Sequence, residues 1–287
     1  MNDTVFAFML TITAGLATAV GGLIVLFSKV TDKKFLSICL SFSAGVMLYV
    51  AFAEIFGEAM ESLKSQYGGQ QGYLIGTLAF FGGIILMAVI DRFIPHDDHD
   101  DNVLGLMDNG NGDTAPSDIS DTPKETRESQ EAKELKRTGI LSAIAIAIHN
   151  FPEGIMTFMA AMYDPTLGIA IAIAIIIHNI PEGIAMAAPI YYATGNRKKA
   201  FLVSVGAGLA EPLGALIAWL FIQRIFGDVG GIFGIPFAVV GGIMVFVAVH
   251  KLLPAAQKYG KHHVVMKWLF LGMGIMALSL VILGYVL

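Results

Sequence analysis

Residues 144–156 read IAIAIHNFPEGIM, and residues 173–185 read IAIIIHNIPEGIA. One polar hexapeptide, His149-Asn150-Phe151-Pro152-Glu153-Gly154 and His178-Asn179-Ile180-Pro181-Glu182-Gly183, is thus set twice into runs of Ile and Ala. The surrounding chain keeps the apolar character: of 287 residues, 55% are hydrophobic and 14% charged, and the mean hydropathy is +0.70. An ordinary soluble domain is roughly one-quarter charged, so this is an integral membrane protein. A spanning helix needs about 20 apolar residues, and apolar runs fall at about 4–28, 35–57, 72–94, 138–162, 165–191, 199–223, 231–251 and 266–287. The expected fold is all-α and polytopic, with eight transmembrane helices. An outer-membrane barrel is excluded, because its strands alternate apolar and polar residues over short segments.

Between the third and fourth runs, residues 95–137 are rich in Asp, Asn, Gly, Ser, Thr, Pro, Glu and Lys. That composition buries no core, so the segment reads as a disordered cytoplasmic loop joining residues 1–94 and 138–287 of a single transmembrane domain. Of the 18 Lys and Arg residues, all but Lys64 and Arg224 fall on the side of that loop. Cytoplasmic loops retain basic residues, which places both termini outside a multi-pass protein of the cell membrane. Met1-Asn2-Asp3-Thr4 lacks the basic start of a secretory leader, so the first run is expected to be a retained helix. The single cysteine, Cys39, can form no internal disulfide and no cysteine-rich metal site. Nothing in the charge pattern calls for nucleic acid.

The chain also repeats itself. Ala14-Gly15-Leu16-Ala17 with Gly21, Leu23 and Ile24 matches Ala207-Gly208-Leu209-Ala210 with Gly214, Leu216 and Ile217. Gly45, Met47, Val50, Ala51 and Ala59 match Gly242, Met244, Val247, Ala248 and Ala256 at almost the same offset. The matched helices cross in opposite directions, so helices 1–3 and 6–8 are expected to be inverted repeats flanking helices 4 and 5. That architecture is typical of secondary transporters with a site at the midplane. Chance recurrence in Gly/Ala-rich helices is the competing explanation.

On a helix advancing about 100° per residue, His at i, Asn at i+1 and Glu at i+4 project into one sector. Each hexapeptide therefore offers an imidazole, an amide and a carboxylate to the same cavity. The proline at i+3 frees the carbonyls of Ile148 and Ile177 and is expected to kink each helix. Glu211-Pro212 in the sixth run adds a third carboxylate at the same depth. A carboxylate at a helix centre costs about 2.5–3.5 kcal/mol on the insertion scale, and no Lys or Arg falls in the middle of any apolar run. The three acids must be protonated or neutralised by a bound cation. Two imidazoles, two amides and three carboxylates form a mixed N/O set suited to Zn, Fe, Mn or Co rather than Cu(I). The candidate metal residues are His149, Asn150, Glu153, His178, Asn179, Glu182 and Glu211. Inter-helix hydrogen bonding and a proton relay are the alternatives, but a relay predicts groups strung along the membrane normal rather than gathered at one level.

The doubled H-N-x-P-E-G motif followed by Ala210-Glu211-Pro212-Leu213-Gly214-Ala215 resembles the ZIP (Zrt/Irt-like) metal-transporter family, in its bacterial ZupT-like branch, over nearly the whole chain. The resemblance implies uptake of divalent metal into the cytoplasm (Zn2+, Fe2+, Mn2+, Co2+ or Cd2+) by alternating access, a three-two-three helix arrangement and, in many members, a homodimer. It further implies one metal position near His149, Glu153, His178 and Glu182. A second would use Asn150, Asn179 and Glu211, with Glu153 and Glu182 bridging. No prosthetic group is implied. The chain departs from many relatives at His250-Lys251-Leu252-Leu253-Pro254, where they carry Glu before the leucines; a protonated lysine is no ligand, and His250 is the remaining candidate for an exit site.

Glu54 and Glu58, at i and i+4 near the outer end of the second run, read either as a cation-attracting entrance or as solvated helix-end carboxylates. His96 and His99, within His96-Asp97-Asp98-His99-Asp100-Asp101, read either as a loose metal-capturing cluster or as a solvated charge run. An enzyme is not expected: neither the Glu-x-x-His of di-iron bundles nor the His-Glu-x-x-His of zinc proteases occurs, and no phosphate loop is present. A selective metal channel, an intramembrane di-metal carboxylate enzyme and a metal sensor remain the rivals.

Overall fold

Asp164 opens the helix that carries the second hexapeptide. Its carboxylate accepts the backbone N–H of Thr166 at 2.7 Å and of Leu167 at 3.4 Å, and Pro165, which has no N–H to lose, takes the first helical position. The helix runs through His178 to Thr194 and stops at Gly195, whose φ of 62° is the left-handed conformation that favours glycine. Asn196 then caps the next helix by accepting from the Lys199 N–H at 3.0 Å. Two residues suffice for this reversal, so the two helices are antiparallel neighbours.

The computed structural model describes residues 2–27, 33–93, 144, 146–222 and 234–286. They form eight long helical units and no strand. Helix α1 is Asp3–Phe27; α2 comprises Lys33–Val50, a π-helical turn Ala51–Ile55 and Phe56–Tyr67; α3 is Gly69–Arg92; α4 covers 146–163; α5 is Pro165–Thr194. Helix α6 comprises Arg197–Gly208, Ala210–Ile217 and the π-helical turn Ala218–Ile222; α7 comprises Gly234–Val247, a π-helical turn Ala248–Leu252 and Leu253–Tyr259; α8 is His262–Val286. Over the described residues, seven of these units, α4 apart, are long and apolar enough to cross a membrane by length and composition. The 95–137 loop, with His96 and His99, lies outside the described residues, as does Arg224.

Two expected boundaries need correction. Helices α2 and α7 do not end near residues 57 and 251 but continue to Tyr67 and Tyr259. Each passes through a π-helical turn, Ala51–Ile55 or Ala248–Leu252, at positions paired by the sequence repeat. The α2 continuation carries Glu58, Glu61 and Lys64, and that of α7 carries Gln257 and Lys258 just after Lys251, so charge breaks the apolar run before the helix ends. Lys251 consequently lies inside a long helix rather than in a loop, and its Nζ is 2.6 Å from Oδ1 of the buried Asp91 on α3. Lys251 is thus a basic residue inside a helix, at the end of its apolar run, matched by an acid on the neighbouring helix. Glu54 and Glu58 likewise sit more than two turns before the end of α2.

The inverted repeat is visible in the packing. A Cβ at Gly15 would run into the carbonyl oxygen of Gly208, and one at Gly208 into that of Gly15, so α1 and α6 meet reciprocally. Gly21 of α1 packs on the backbone of Ile180 and Ile184 of α5; its match, Gly214 of α6, packs on Phe151 and Ile155 of α4. Each contact is the image of the other, because Phe151 and Ile180 hold the same place in the two hexapeptides. The outer pairs obey the same rule. Gly45 of α2 abuts the Leu269 carbonyl of α8, as its match Gly242 of α7 abuts the Phe80 carbonyl of α3.

Contacts divide the helices into two groups. Helix α1 packs on α5 and α6, and α4 packs on α6; α2 packs on α8, α3 on α7, and α7 on the second half of α2. Helix α2 lies along α5 and so joins the two groups. These two helices are the most enclosed, whereas α3 and α8 turn large apolar side chains such as Leu78, Ile85, Phe270 and Leu278 outward. Outward apolar faces of this extent suit contact with lipid.

Candidate metal centre

Helix α4 carries the first hexapeptide, α5 the second and α6 Glu211. Pro152 and Pro181 do not interrupt the helices that contain them. Pro212 sits differently: lacking an N–H, it cannot bond the Gly208 carbonyl, and α6 is broken at Leu209. That break falls two residues before Glu211.

All seven candidate side chains are buried, none more than 1% exposed. His149 Nε2 lies 3.0 Å from Glu182 Oε2, and His178 Nε2 lies 3.5 Å from Glu153 Oε1. The imidazole of each hexapeptide therefore faces the carboxylate of the other, and the two pairs are again images under the repeat. Asn179 Nδ2 donates to the carboxylate of Glu211 and, at 3.0 Å, to the Ala14 carbonyl of α1. Asn150 Nδ2 donates at 3.4 Å to the Ala207 carbonyl of α6. Ala14 and Ala207 are themselves matched residues, so the amides too obey the symmetry.

Several polar atoms of this cluster make no hydrogen bond. They are both carboxylate oxygens of Glu153, both ring nitrogens of His178, Oδ1 of Asn150 and of Asn179, Oε2 of Glu211 and Oγ1 of Thr18. Among the described residues, the one other such buried atom is Oδ1 of Asp91, which already receives Lys251. An unmade hydrogen bond at a buried group costs about 1–3 kcal/mol, and native structures leave few without a reason. Here they concentrate in one place, and most are lone-pair donors. The arrangement is paired rather than convergent: no three His, Cys, Asp or Glu side chains among the described residues are drawn around one point as a closed metal cage. His149 and Glu182 bond across the α4–α5 gap while His178 and Glu153 face each other unbonded, and gathering the four on an ion means exchanging these pairs for bonds to it.

One contributor was not singled out from the sequence. Ser43 of α2, fully buried, donates from Oγ to Glu182 Oε1 at 3.1 Å, with the His178 carbonyl 3.4 Å away. It reaches the cluster across the boundary between the two helix groups. No sequence signal separates it from its neighbours, since Ser37 and Ser41 occupy the same apolar run and spend their hydroxyls on the carbonyls of Ala256 and of Ser37.

The remaining candidates lie elsewhere. His250, on the π-helical turn of α7, has Nε2 3.3 Å from Asp91 Oδ2 and its ring centroid 4.8 Å from that of Phe246. It belongs to a small cluster with Asp91 and Lys251 rather than to the pairs on α4 and α5. Glu54 and Glu58 are half-buried on α2; Glu58 feels the negative charge of Glu61 and of Asp164, the cap of α5.

A polytopic helical protein with inverted halves and buried imidazole–carboxylate pairs beside a third carboxylate on α4, α5 and α6 has the build of a membrane transport protein. The family model described as ZIP Zinc transporter matches residues 4–280, and the chain belongs to that family. It is 46% identical over 285 residues to the zinc transporter ZupT of Clostridium perfringens, covering 98% of this chain and 97% of the relative. To the zinc transporters ZupT of Oceanobacillus iheyensis and Lysinibacillus sphaericus it is 48% and 49% identical, over 99% and 98% of this chain and 100% and 99% of theirs. Membership of a transporter family sets aside the metalloenzyme rival.

Proposed function

We propose that this protein carries divalent transition-metal ions, zinc foremost and Fe2+, Mn2+, Co2+ and Cd2+ as competitors, across the cell membrane into the cytoplasm by alternating access. The observation that carries the reading is the concentration of unbonded carboxylate, imidazole and amide atoms on α4, α5 and α6, buried and without a lysine or arginine among them. A doubly charged ion would satisfy these lone pairs together and offset the cost of burying three carboxylates. His149, Glu153, His178 and Glu182 would form one position, and Asn150, Asn179 and Glu211 an adjoining one, with Glu153 and Glu182 shared between them.

The inverted repeat supports the alternating mechanism, because two halves of opposite orientation can exchange conformations around a fixed site. In this reading both termini lie outside. The membrane potential then favours entry by about 2.3 kcal/mol per charge per 100 mV. Glu54 and Glu58, with Glu61 and Asp164 nearby, would gather cations at the outer mouth. His250 would meet them at the inner one, where Asp91 offsets the charge of Lys251.

Purified protein in proteoliposomes is expected to take up radioactive zinc with saturation, and excess Cd2+, Co2+, Fe2+ or Mn2+ to compete. Uptake that rises linearly without saturating would make the protein a channel, and no uptake despite tight binding would make it a sensor.

Ser43 should matter to this site although it is no ligand. Loss of a hydrogen bond that orients a metal-binding carboxylate costs about 10–100-fold in affinity. Ser43→Ala is therefore expected to raise the half-saturating zinc concentration by about tenfold, measured in the same uptake assay, with insertion unchanged.

A further inference from the structure

Threonine inside a helix commonly turns its hydroxyl back to the carbonyl four residues earlier. Thr11, Thr13, Thr77, Thr157 and Thr194 all do so here, at 2.7–2.9 Å. Thr18 differs from these: it is fully buried, and its Oγ1 makes no hydrogen bond. The carbonyl it would use, that of Ala14, receives Asn179 Nδ2 instead. A buried hydroxyl is thus left unbonded where α1 meets the second hexapeptide.

The repeat says what this position is. Counting from the matched pairs Ala14/Ala207 and Gly15/Gly208, Thr18 is the counterpart of Glu211. The packing agrees in detail. A Cβ at Gly208 would stand 3.3 Å from Thr18 Cβ, and a Cβ at Gly15 would stand 3.3 Å from Glu211 Cβ. Gly183 of the second hexapeptide closes on the carbonyl of Thr18, as Gly154 of the first closes on that of Glu211. Asn179 holds the carbonyl four residues before Thr18, and Asn150 the one four residues before Glu211. The backbone frame is the same on both sides of the centre, and only the side chain differs: a carboxylate on α6, a hydroxyl on α1.

We propose that Thr18 Oγ1 is an additional oxygen contact for the transported cation, the neutral counterpart of Glu211 on the α1–α5 side of the centre. A hydroxyl contributes lone pairs without adding a fourth negative charge. It can help hold a divalent ion on leaving or entering without trapping it. The inference rests on the cation-carrier reading above, and its test separates the two.

Thr18→Val keeps the side-chain shape and removes the hydroxyl; Thr18→Ser keeps the hydroxyl. Zinc binding to purified protein, zinc uptake in proteoliposomes and thermal melting are measured on both and on Glu153→Ala. The expected result is that Thr18→Val raises the half-saturating zinc concentration and weakens zinc binding by about 3–10-fold, with melting unchanged or higher, and that Thr18→Ser restores both to within about twofold of the parent. A merely structural hydroxyl with no partner would differ in the zinc readouts, because deleting it could raise melting in the same way but would leave zinc binding and uptake untouched. Parental binding and uptake in Thr18→Val, with Glu153→Ala inactive, would overturn the Thr18 assignment alone. Parental zinc behaviour in Glu153→Ala as well would remove the carrier reading beneath it.

Discussion

Replacing Glu153 or Glu182 by Ala is expected to abolish zinc uptake, lowering it by more than about 100-fold, because changes in the groups around a metal ligand already cost about 10–100-fold and these would remove the proposed ligands themselves. The two variants should differ in stability, and the difference comes from their partners. Glu182 accepts from Ser43 at 3.1 Å and faces His149 at 3.0 Å. Truncating it removes the facing carboxylate from His149 and the nearer acceptor from Ser43, an effect on the order of 3–5 kcal/mol for a buried pair that loses one member. Glu153 has no hydrogen-bond partner on either oxygen, and its imidazole stands off at 3.5 Å. Its removal relieves an unsatisfied group as well as breaking a loose pair, so Glu153→Ala should melt closer to the parent than Glu182→Ala while being as inactive. Retained transport with a large loss of stability would make Glu153 a packing residue instead. Melting curves in detergent alongside proteoliposome uptake read both quantities on one preparation.

The contrast between these two glutamates marks how far the sequence alone could be read. The doubled hexapeptide places His149, Glu153, His178 and Glu182 in one sector of two helices, because helical spacing fixes direction. Their crossed pairing depends on how α4 and α5 face each other, which spacing within one helix does not encode. The repeat was legible for the same local reason, since close helix contact requires glycine at matched positions such as Gly15 and Gly208. The lengths of α2 and α7 were not: their second halves carry Glu58, Glu61, Lys64 and Lys258, and hydropathy reports where lipid ends rather than where the helix does. Ser43 and Thr18 stayed hidden because a hydroxyl in an apolar helix is usually spent on its own backbone. What distinguishes Ser43 is a partner on another helix, and what distinguishes Thr18 is the lack of one.

Bulky side chains at Gly21 and at Gly214 should be equally damaging, and their equality would test the inverted architecture directly. A Cβ at Gly21 meets the carbonyl oxygen of Ile180 and the amide nitrogen of Ile184; at Gly214 it meets the same two groups of Phe151 and Ile155. These obstacles are backbone atoms, which cannot swing aside as a flexible side chain does. Replacing glycine by alanine inside a helix ordinarily gains up to about 1 kcal/mol of propensity, whereas overpacking a close contact costs about 1–3 kcal/mol or more. The clash should win at Gly21 and Gly214, and by more for valine than for alanine. At Gly82 of α3 and Gly274 of α8, where an added Cβ meets nothing within 4 Å, the balance reverses, and alanine should be neutral or stabilising. Gly21→Val and Gly214→Val are therefore expected to lower the melting temperature by similar amounts, on the order of 10 °C or to the point of lost expression, since about 1 kcal/mol shifts melting by about 2–4 °C in a chain of this size. If one of the pair were tolerated as well as Gly82→Ala, α1 on α5 and α6 on α4 would not be equivalent contacts, and the two halves could not exchange roles around the centre they enclose.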